Sequence, residues 1–352
     1  MNVKNYRVLG LMSGTSLDGL DIAYCNFFKN NKKWEFDLIS FDFIEYTNTW
    51  KNKLADLFYD SKSLEEVELE YSEFLSNSII KFIKKNNVIV DYISSHGHTI
   101  FHDPEKGITK QIGNGDIIFE RTKIPVIYNF REQDVELGGQ GAPLVPYGDF
   151  LLFRDYDSCL NLGGFSNISF KKNDKITAFD ICPLNIVLNY LSEKKDMPFD
   201  NGGIHASKGK INLNLLRKLN SVEYYEKNPP KSLAKEWLDD YFMSIINKQE
   251  LPIDDLLRTC VEHFSIQISK VFLEFKIKDS LITGGGVFNE FLISQIKQKA
   301  NTKLIIPPKK IIMYKEAIIF AFLGLLRVRN EINCLSEITG SYKNHSSGDI
   351  CC

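Results

Sequence analysis

From Tyr6 to Met12 the chain is almost continuously apolar (YRVLGLM), the pattern of a strand buried on both faces. A turn rich in glycine and hydroxyl residues follows (SGTSLDG). Asp21 to Phe28 then predicts a second strand, and the polar tip KNNKK reverses the chain into a third, Trp34 to Tyr46. Ser63 and Glu66 stand at capping-box spacing. Beyond them Val67, Tyr71, Phe74, Leu75, Ile79, Phe82 and Ile83 recur at helical intervals, which predicts a long amphipathic helix. Val88 to Ser94 predicts a short strand leading into SHGHTIFH, and a helix between strands implies a mixed sheet with crossover packing.

The same order returns near residue 158. SCLNLGGFSNISFKKNDKITAFD reads as an apolar strand, a Gly/Ser turn (Gly163 to Asn167), a second strand, a Lys/Asn/Asp hairpin and a third strand ending at Asp180. Repetition at domain scale predicts two similar lobes with a cleft between their turns. Leu257, Val261, Phe264, Ile268, Val271, Phe272 and Phe275 form another helical stripe, and SLITGGGVFNEFL runs strand, triple glycine, helix. YKEAIIFAFLGLLRVR is apolar on nearly all sides, as in a helix packed between elements. Boundaries near residues 140 and 312 divide the chain into lobe I (1–140 plus 313–352) and lobe II (141–312), the last helix returning to the first lobe. The polar stretch from Asn201 to Leu251, with NPPKS inside it, predicts loops and helices.

Composition narrows the partners. The 352 residues are 43% hydrophobic and 25% charged, with a formal net charge of -2. Scattered Lys and Arg give no field that would collect nucleic acid or an anionic membrane. Seven cysteines without paired spacing fit free thiols in a reducing compartment. No secretory leader or membrane-length apolar run is visible, so a cytoplasmic protein is expected. The terminal Cys351-Cys352 pair reads as an exposed tail.

Chemistry concentrates in the turns. Phosphate binding needs converging N–H and O–H donors and a backbone free of Cβ atoms. SGTSLDG offers Gly14 and Gly19 for close approach and Ser13, Thr15 and Ser16 as donors, with Asp18 and Asp21 as oxygen ligands for Mg²⁺. It is neither a P-loop nor a dinucleotide fingerprint nor a nucleophile elbow. Alone it reads as easily as a plain hairpin turn. Three glycine turns behind apolar strands, at Gly14 to Gly19, Gly163-Gly164 and Gly284-Gly285-Gly286, together point to a two-lobed nucleotide site.

Other residues carry two readings each. Asp180, at the end of a strand and before ICPLN, is either a turn or cap residue or a general base. His96 and His98 would share a face of an extended segment and suit a metal, yet no partner pattern supports zinc; with His102 they read rather as polar residues that bind a sugar or shape a turn. Arg131 in NFREQD suits a bidentate grip on a carboxylate or a surface salt bridge. Glu316 is either a first-turn helix charge or a carboxylate aimed at the nucleotide. A metal-dependent or serine hydrolase built on His96, His98 and Ser13, and a catalytically silent sugar sensor, stay open alternatives.

In order along the chain, GLMSGTSLDGLD, SHGHT, QIGNGD, NFREQDVELGGQGAPLVP, LNLGGFSNIS, FDICPLN, NPPKS, LITGGGVFN and EAIIFAFLG resemble the anhydro-N-acetylmuramic acid kinase family from Gly10 to Gly324. The resemblance implies an α/β protein of two duplicated actin-like (ribonuclease H-like) lobes with an interlobe nucleotide cleft. It implies a kinase that uses ATP and Mg²⁺ to hydrolyse the 1,6-anhydro bridge of anhydro-N-acetylmuramic acid and phosphorylate O6, in peptidoglycan recycling; a kinase of another sugar is the nearest alternative. Carried over, Asp180 is the base that activates water. Gly14, Thr15, Ser16, Leu17, Asp18, Gly19, Leu20 and Asp21, with Gly163, Gly164, Gly284, Gly285 and Glu316, bind ATP. Asp18, Asp21 and Glu316 are the Mg²⁺ ligands, and Thr99, Arg131 and Asp180 meet the sugar and its lactyl carboxylate. Many relatives look dimeric, so a homodimer is the expected assembly. Two departures stand out: Cys182 and Leu184 replace glycines in Asp180-Ile-Cys-Pro-Leu-Asn185, and Gly148 and Asp149 occupy positions after LVP where a histidine is expected.

Overall fold

The structure, a computed structural model, describes residues 4–57, 63–173 and 175–352. The chain divides into two compact units, Met1–Leu152 with Tyr314–Cys352, and Phe153–Met313.

In the first unit, strands β1 (Tyr6–Met12), β2 (Gly19–Asn30) and β3 (Lys33–Glu45) form an antiparallel meander. The helix Leu64–Asn86 crosses over to β4 (Tyr92–Ser95), which pairs parallel to β1. A hairpin, β5 (His98–Asp103) and β6 (Ile108–Ile112), precedes β7 (Val126–Tyr128), parallel to β4. The crossover helix lays Val67, Tyr71, Leu75, Ile79 and Phe82 on one sheet face, where they meet Leu9, Leu11, Leu20 and Ile22.

The opposite face is covered by the helix Lys309–Val328, in which every residue from Ala317 to Leu326 is buried. That packing is backbone-close. A Cβ on Gly10 would lie 2.1 Å from the Ala317 carbonyl oxygen, and one on Gly324 would lie 2.3 Å from Ser94 Oγ, which itself donates to the Phe320 carbonyl at 2.6 Å. Phe322 completes the contact against Phe27 and Trp34, each with ring centroids 5.4 Å away.

In the second unit, β8 (Ser158–Leu162), β9 (Phe165–Lys172) and β10 (Lys175–Pro183) repeat the meander, and β11 (Asp279–Thr283) and β12 (Lys303–Ile305) add on parallel to β8. The strand order is β10-β9-β8-β11-β12 here and β3-β2-β1-β4-β7 in the first unit, with matching parallel and antiparallel pairs. The duplicated ribonuclease H-like topology expected from the sequence is therefore present in both sheets. The helix Ile253–Glu274 supplies Leu257, Val261, Phe264, Ile268 and Phe272 to the second core.

Four local expectations need correction or restriction. Ser63 makes no side-chain cap bond: its φ of -95° and ψ of 9° are those of a tight turn, whereas a capping hydroxyl needs extended backbone to reach the N2 or N3 amide. The strand predicted from Val88 begins only at Tyr92, because Val88 closes the preceding helix with an N–H bond to Ile83 O and Ile89 is 67% exposed. The C-terminus is not a free tail. Asp349–Cys351 is a strand antiparallel to β7, held by Asn129 donating to Asp349 and by the Cys351 thiol donating to Asp116. In the Lys/Asn/Asp hairpin, Asp174 lies outside the described residues.

The contact at Gly10 yields a direct test. Gly10→Val should destabilise the fold by about 1–3 kcal/mol or more, the usual cost of overpacking a filled core, read as a lower denaturant midpoint with unchanged slope. An unaltered midpoint would mean the helix does not ride on β1 at backbone distance.

Candidate active site

In the first unit the Gly/Ser turn joins β1 to β2. Leu17 takes a left-handed backbone (φ 59°) and its N–H closes onto the Gly14 carbonyl at 3.3 Å, so a branched-chain residue bears the turn's strain. The turn's two glycines differ. A Cβ on Gly19 would strike Ile44 O at 2.4 Å, so packing against β3 already demands glycine there. A Cβ on Gly14 would meet only Ser16 Oγ, at 3.7 Å; its bare face opens away from protein and leaves backbone for a ligand to approach.

Below the turn lies a sealed chain of hydroxyls. Ser13 Oγ bonds His98 Nδ1 at 2.8 Å and Tyr46 Oη at 2.7 Å, and Tyr46 Oη bonds Tyr71 Oη at 2.8 Å. Ser13 is 2% exposed, and burial lowers the His98 pKa to about 4, so the imidazole is neutral at ordinary pH. A nucleophilic serine needs access and a base oriented by an acid. This pair has neither: the serine is closed off, and among the described residues no carboxylate holds His98. No group of three metal-ligating side chains among the described residues includes His96 or His98. The pair anchors the turn, and the hydrolase alternative loses its residues.

Asp21, on β2, and Glu316, at the start of the buried stretch of the last helix, are the unit's interacting carboxylates. Burial raises the Asp21 pKa to about 7, with the charges of Glu316 and Asp18 adding to it. Glu316 is raised too, by burial first, against the lowering effect of Lys315 and Arg131. Mutually repelling carboxylates with oxygen-only donors suit a hard divalent cation, which relieves the repulsion that protonation otherwise relieves. Next to Glu316, Lys315 forms a buried ion pair with Asp149 at 3.0 Å. Asp149 thus occupies the expected histidine's stretch as a salt-bridge partner, and Gly148 is fixed by Ile319, whose Cγ2 a Cβ would meet at 2.4 Å. Nothing in the sequence pattern announced this pair, since its members stand 166 residues apart.

Arg131 is mostly buried. Its Nη1 donates to Gly141 O at 2.7 Å, while Nη2 and Nε donate to His96 Nε2 at 2.8 and 3.2 Å. His96 Nδ1 donates to Gly97 O, which assigns the tautomer, and burial first, then Arg131, holds His96 well below its usual pKa. Both direct partners of the guanidinium are therefore neutral. Burial lowers its pKa to about 10, partly offset by Glu316, Cys334 and Asp134. A guanidinium with uncharged partners suits an incoming carboxylate. Thr99 is half-buried on β5, opposite Gln111 and beside a bulge.

In the second unit the equivalent turn carries Gly163 and Gly164. Their carbonyls accept N–H bonds from Leu184, Asn185 and Ile186 at 2.8 to 3.3 Å, which ties the turn to the first residues of the helix Asn185–Glu193. Nothing lies within 4 Å of a Cβ built on Gly164, and one on Gly285 would meet only Asn185 Nδ2 at 3.7 Å. Gly284 differs: φ is +85° and a Cβ would strike Asn161 Oδ1 at 2.5 Å, so its glycine serves the fold.

Asp180 sits at a β-bulge, where the β10 register shifts between Asp180 and Cys182. Its Oδ2 accepts the Leu233 N–H at 2.9 Å and its carbonyl accepts Tyr224 Oη at 2.6 Å. Burial raises the carboxyl pKa to about 6, and the Leu233 N–H opposes the rise. A carboxylate poised there is ionised at neutral pH yet basic enough to take a proton. These two contacts flank NPPKS: the Tyr224 side-chain hydroxyl comes from before it and the Leu233 main-chain N–H from the residue after it. Cys182 and Leu184, the two departures, are both fully buried; Cys182 bonds Ser166 and Leu184 packs near Gly286. Both belong to the core of the second unit, and the Cys182 thiol feels the charge of Asp180.

A family model for anhydro-N-acetylmuramic acid kinase matches residues 6–352. Similar curated proteins named anhydro-N-acetylmuramic acid kinase come from Francisella tularensis subsp. novicida (32% identical, 97% of each chain), Caldanaerobacter subterraneus subsp. tengcongensis (30%, 97% of this chain and 95% of that one) and Clostridioides difficile (30%, 97% of each). A solved activator of 2-hydroxyisocaproyl-CoA dehydratase from Clostridium difficile, with bound ADPNP, aligns over 92% of this chain and 96% of that one at TM-score 0.44 and 12% identity, a likeness that adds nothing to the assignment. With a match that opens in β1 and closes on the last residue, the chain belongs to the anhydro-N-acetylmuramic acid kinase family.

Proposed function

We propose that this chain hydrolyses the 1,6-anhydro bridge of anhydro-N-acetylmuramic acid and phosphorylates O6 with ATP in one turnover, giving N-acetylmuramic acid 6-phosphate and ADP. The observation that carries the reading is Asp180, a half-buried carboxylate fixed by one backbone N–H with its pKa lifted to about 6. Water adds to C1 through an oxocarbenium-like state while Asp180 takes its proton. The C1–O6 bond breaks, and O6 accepts the γ-phosphoryl group as its charge develops.

Gly14, Thr15, Ser16, Leu17, Asp18, Gly19, Leu20 and Asp21 are assigned to ATP, with Gly163, Gly164, Gly284, Gly285 and Glu316. Within that set, the open faces of Gly14, Gly164 and Gly285 support direct backbone approach, whereas Gly19 and Gly284 hold the turns in shape. Asp18, Asp21 and Glu316 are the carboxylates that would hold Mg²⁺, which when bound neutralises phosphoryl charge. Thr99 and Arg131 are assigned to the sugar, Arg131 to its lactyl carboxylate, with neutral His96 orienting the guanidinium.

Asp180→Asn should lower turnover by roughly 10²–10⁴-fold, the span typical of general-base loss, in a coupled ADP-release assay with the anhydro-sugar, while calorimetry finds ATP affinity unchanged. Wild-type turnover in that variant would remove Asp180 from the reaction. In water bearing heavy oxygen, bridge hydrolysis places the label on C1, whereas a kinase acting on an ordinary sugar hydroxyl places none there.

The pH profile follows with a definite sign. The base works ionised, so kcat/KM should fall as pH drops through about 6 and be flat above it until another group titrates. The acid limb should vanish from the residual activity of Asp180→Asn.

The two glycines of the first turn should separate binding from folding. Gly14→Val should raise KM for ATP by about tenfold or more, equivalent to ~1.4 kcal/mol, with the melting temperature kept. Gly19→Val should instead lower stability by about 1–3 kcal/mol. Equal loss of stability in both would refute the distinction.

A further inference from the structure

Away from the carboxylates of the turn, three segments of the first unit converge on one buried cluster: Asp134 from the short helix Glu132–Glu136, Cys334 after the last long helix, and His345 near the C-terminus. Their ligand atoms all lie within 4.8 Å of one another. Cys334 Sγ is 3.1 Å and His345 Nε2 3.6 Å from Asp134 Oδ1. Around zinc, bonds of ~2.0–2.3 Å at tetrahedral angles put ligand atoms roughly 3.3–3.6 Å apart, so these spacings need little change to close on an ion.

The outer contacts are those of a ligand set. His345 Nδ1 donates to Lys343 O at 3.2 Å, which leaves Nε2 as the lone-pair nitrogen aimed at Asp134. That Nε2 is buried without a hydrogen-bond partner, on a side chain 4% exposed. Asp134 Oδ2 is fixed by the Gly141 N–H at 2.7 Å. An orphaned buried imidazole nitrogen facing a carboxylate and a thiol is costly as it stands and is satisfied by a metal.

We infer that Asp134, Cys334 and His345 form a closed structural site for a tetrahedral divalent transition metal, zinc by the thiolate, imidazole and carboxylate donor set. Loading replaces the Cys334 S–H proton, now donated to Asp134, by a metal–sulfur bond and releases that proton to solvent. The Thr339 hydroxyl borders the cluster, donating to Asp134 Oδ1 at 2.7 Å with Oγ1 3.9 Å from Cys334 Sγ. One thiolate and one carboxylate balance the ion's two charges, so loading, with a single proton released, makes the cluster one charge more positive than the metal-free form. The metal would pin the C-terminal segment to the helix that follows Arg131.

The test does not use turnover and is independent of the proposed reaction. Full-length protein, incubated with zinc and gel-filtered, should retain about one zinc per chain, with a melting temperature raised by several degrees; Cys334→Ser and His345→Gln should each retain less than about a tenth as much. Cobalt-loaded wild type should show a thiolate-to-metal charge-transfer band. Should either variant fail to fold by circular dichroism, the wild-type cobalt spectrum decides. Negligible zinc in the wild type, undiminished zinc in folded variants, or a cobalt spectrum without the thiolate band would overturn the inference.

Discussion

The first unit's chemistry depends on one close approach, that of the last long helix to the central strand at Gly10. Because no side chain stands between them, the Ala317 carbonyl sits against β1, and Glu316, the residue before it, is brought beside Asp21 on the neighbouring strand. Gly324 repeats the device against Ser94 on β4, so the helix is fixed at two strands. A methyl group at either place would push the helix outward and carry Glu316 with it. Packing and electrostatics are thus a single constraint.

Around that contact, burial sets the charge states. It lifts Asp21 and Glu316 toward neutrality and drives His96 and His98 to their uncharged forms. The result is a surface where acceptors and donors are held by neutral groups, and where the buried ion pair Lys315–Asp149 is satisfied within the fold. Buried charges left without full counter-charges are what an anionic or cationic ligand can repay. In the second unit one carboxylate, Asp180, stands in the same condition, tempered by a single amide.

Much of the fold was legible because each sheet announces itself by the same physical signs. β1 and β8 are apolar runs closed by glycine turns, and the helices Leu64–Asn86 and Ile253–Glu274 carry clean 3.6-residue stripes. What escaped reading was what has no local pattern. β7 and the C-terminal strand are three residues each, too short for alternation to register. Of the candidate site, the turns and Asp180 could be picked out by position, whereas the Ser13–Tyr46–Tyr71–His98 chain and the Asp134–Cys334–His345 cluster join residues far apart in sequence. Which glycine leaves room for a ligand and which only clears a neighbouring strand, Gly14 or Gly19, depends on a contact with Ile44 that no spacing encodes.

The first unit is discontinuous, interrupted by the whole of Phe153–Met313. On the ribosome its sheet must therefore wait without its covering helix and without its C-terminal edge strand while the intervening unit is made, roughly eight to thirty seconds at ~5–20 residues per second. Through that interval the face around Gly10 and the free edge of β7 are uncovered, and the nascent chain is open to chaperones and to mispairing until Tyr314–Cys352 has emerged.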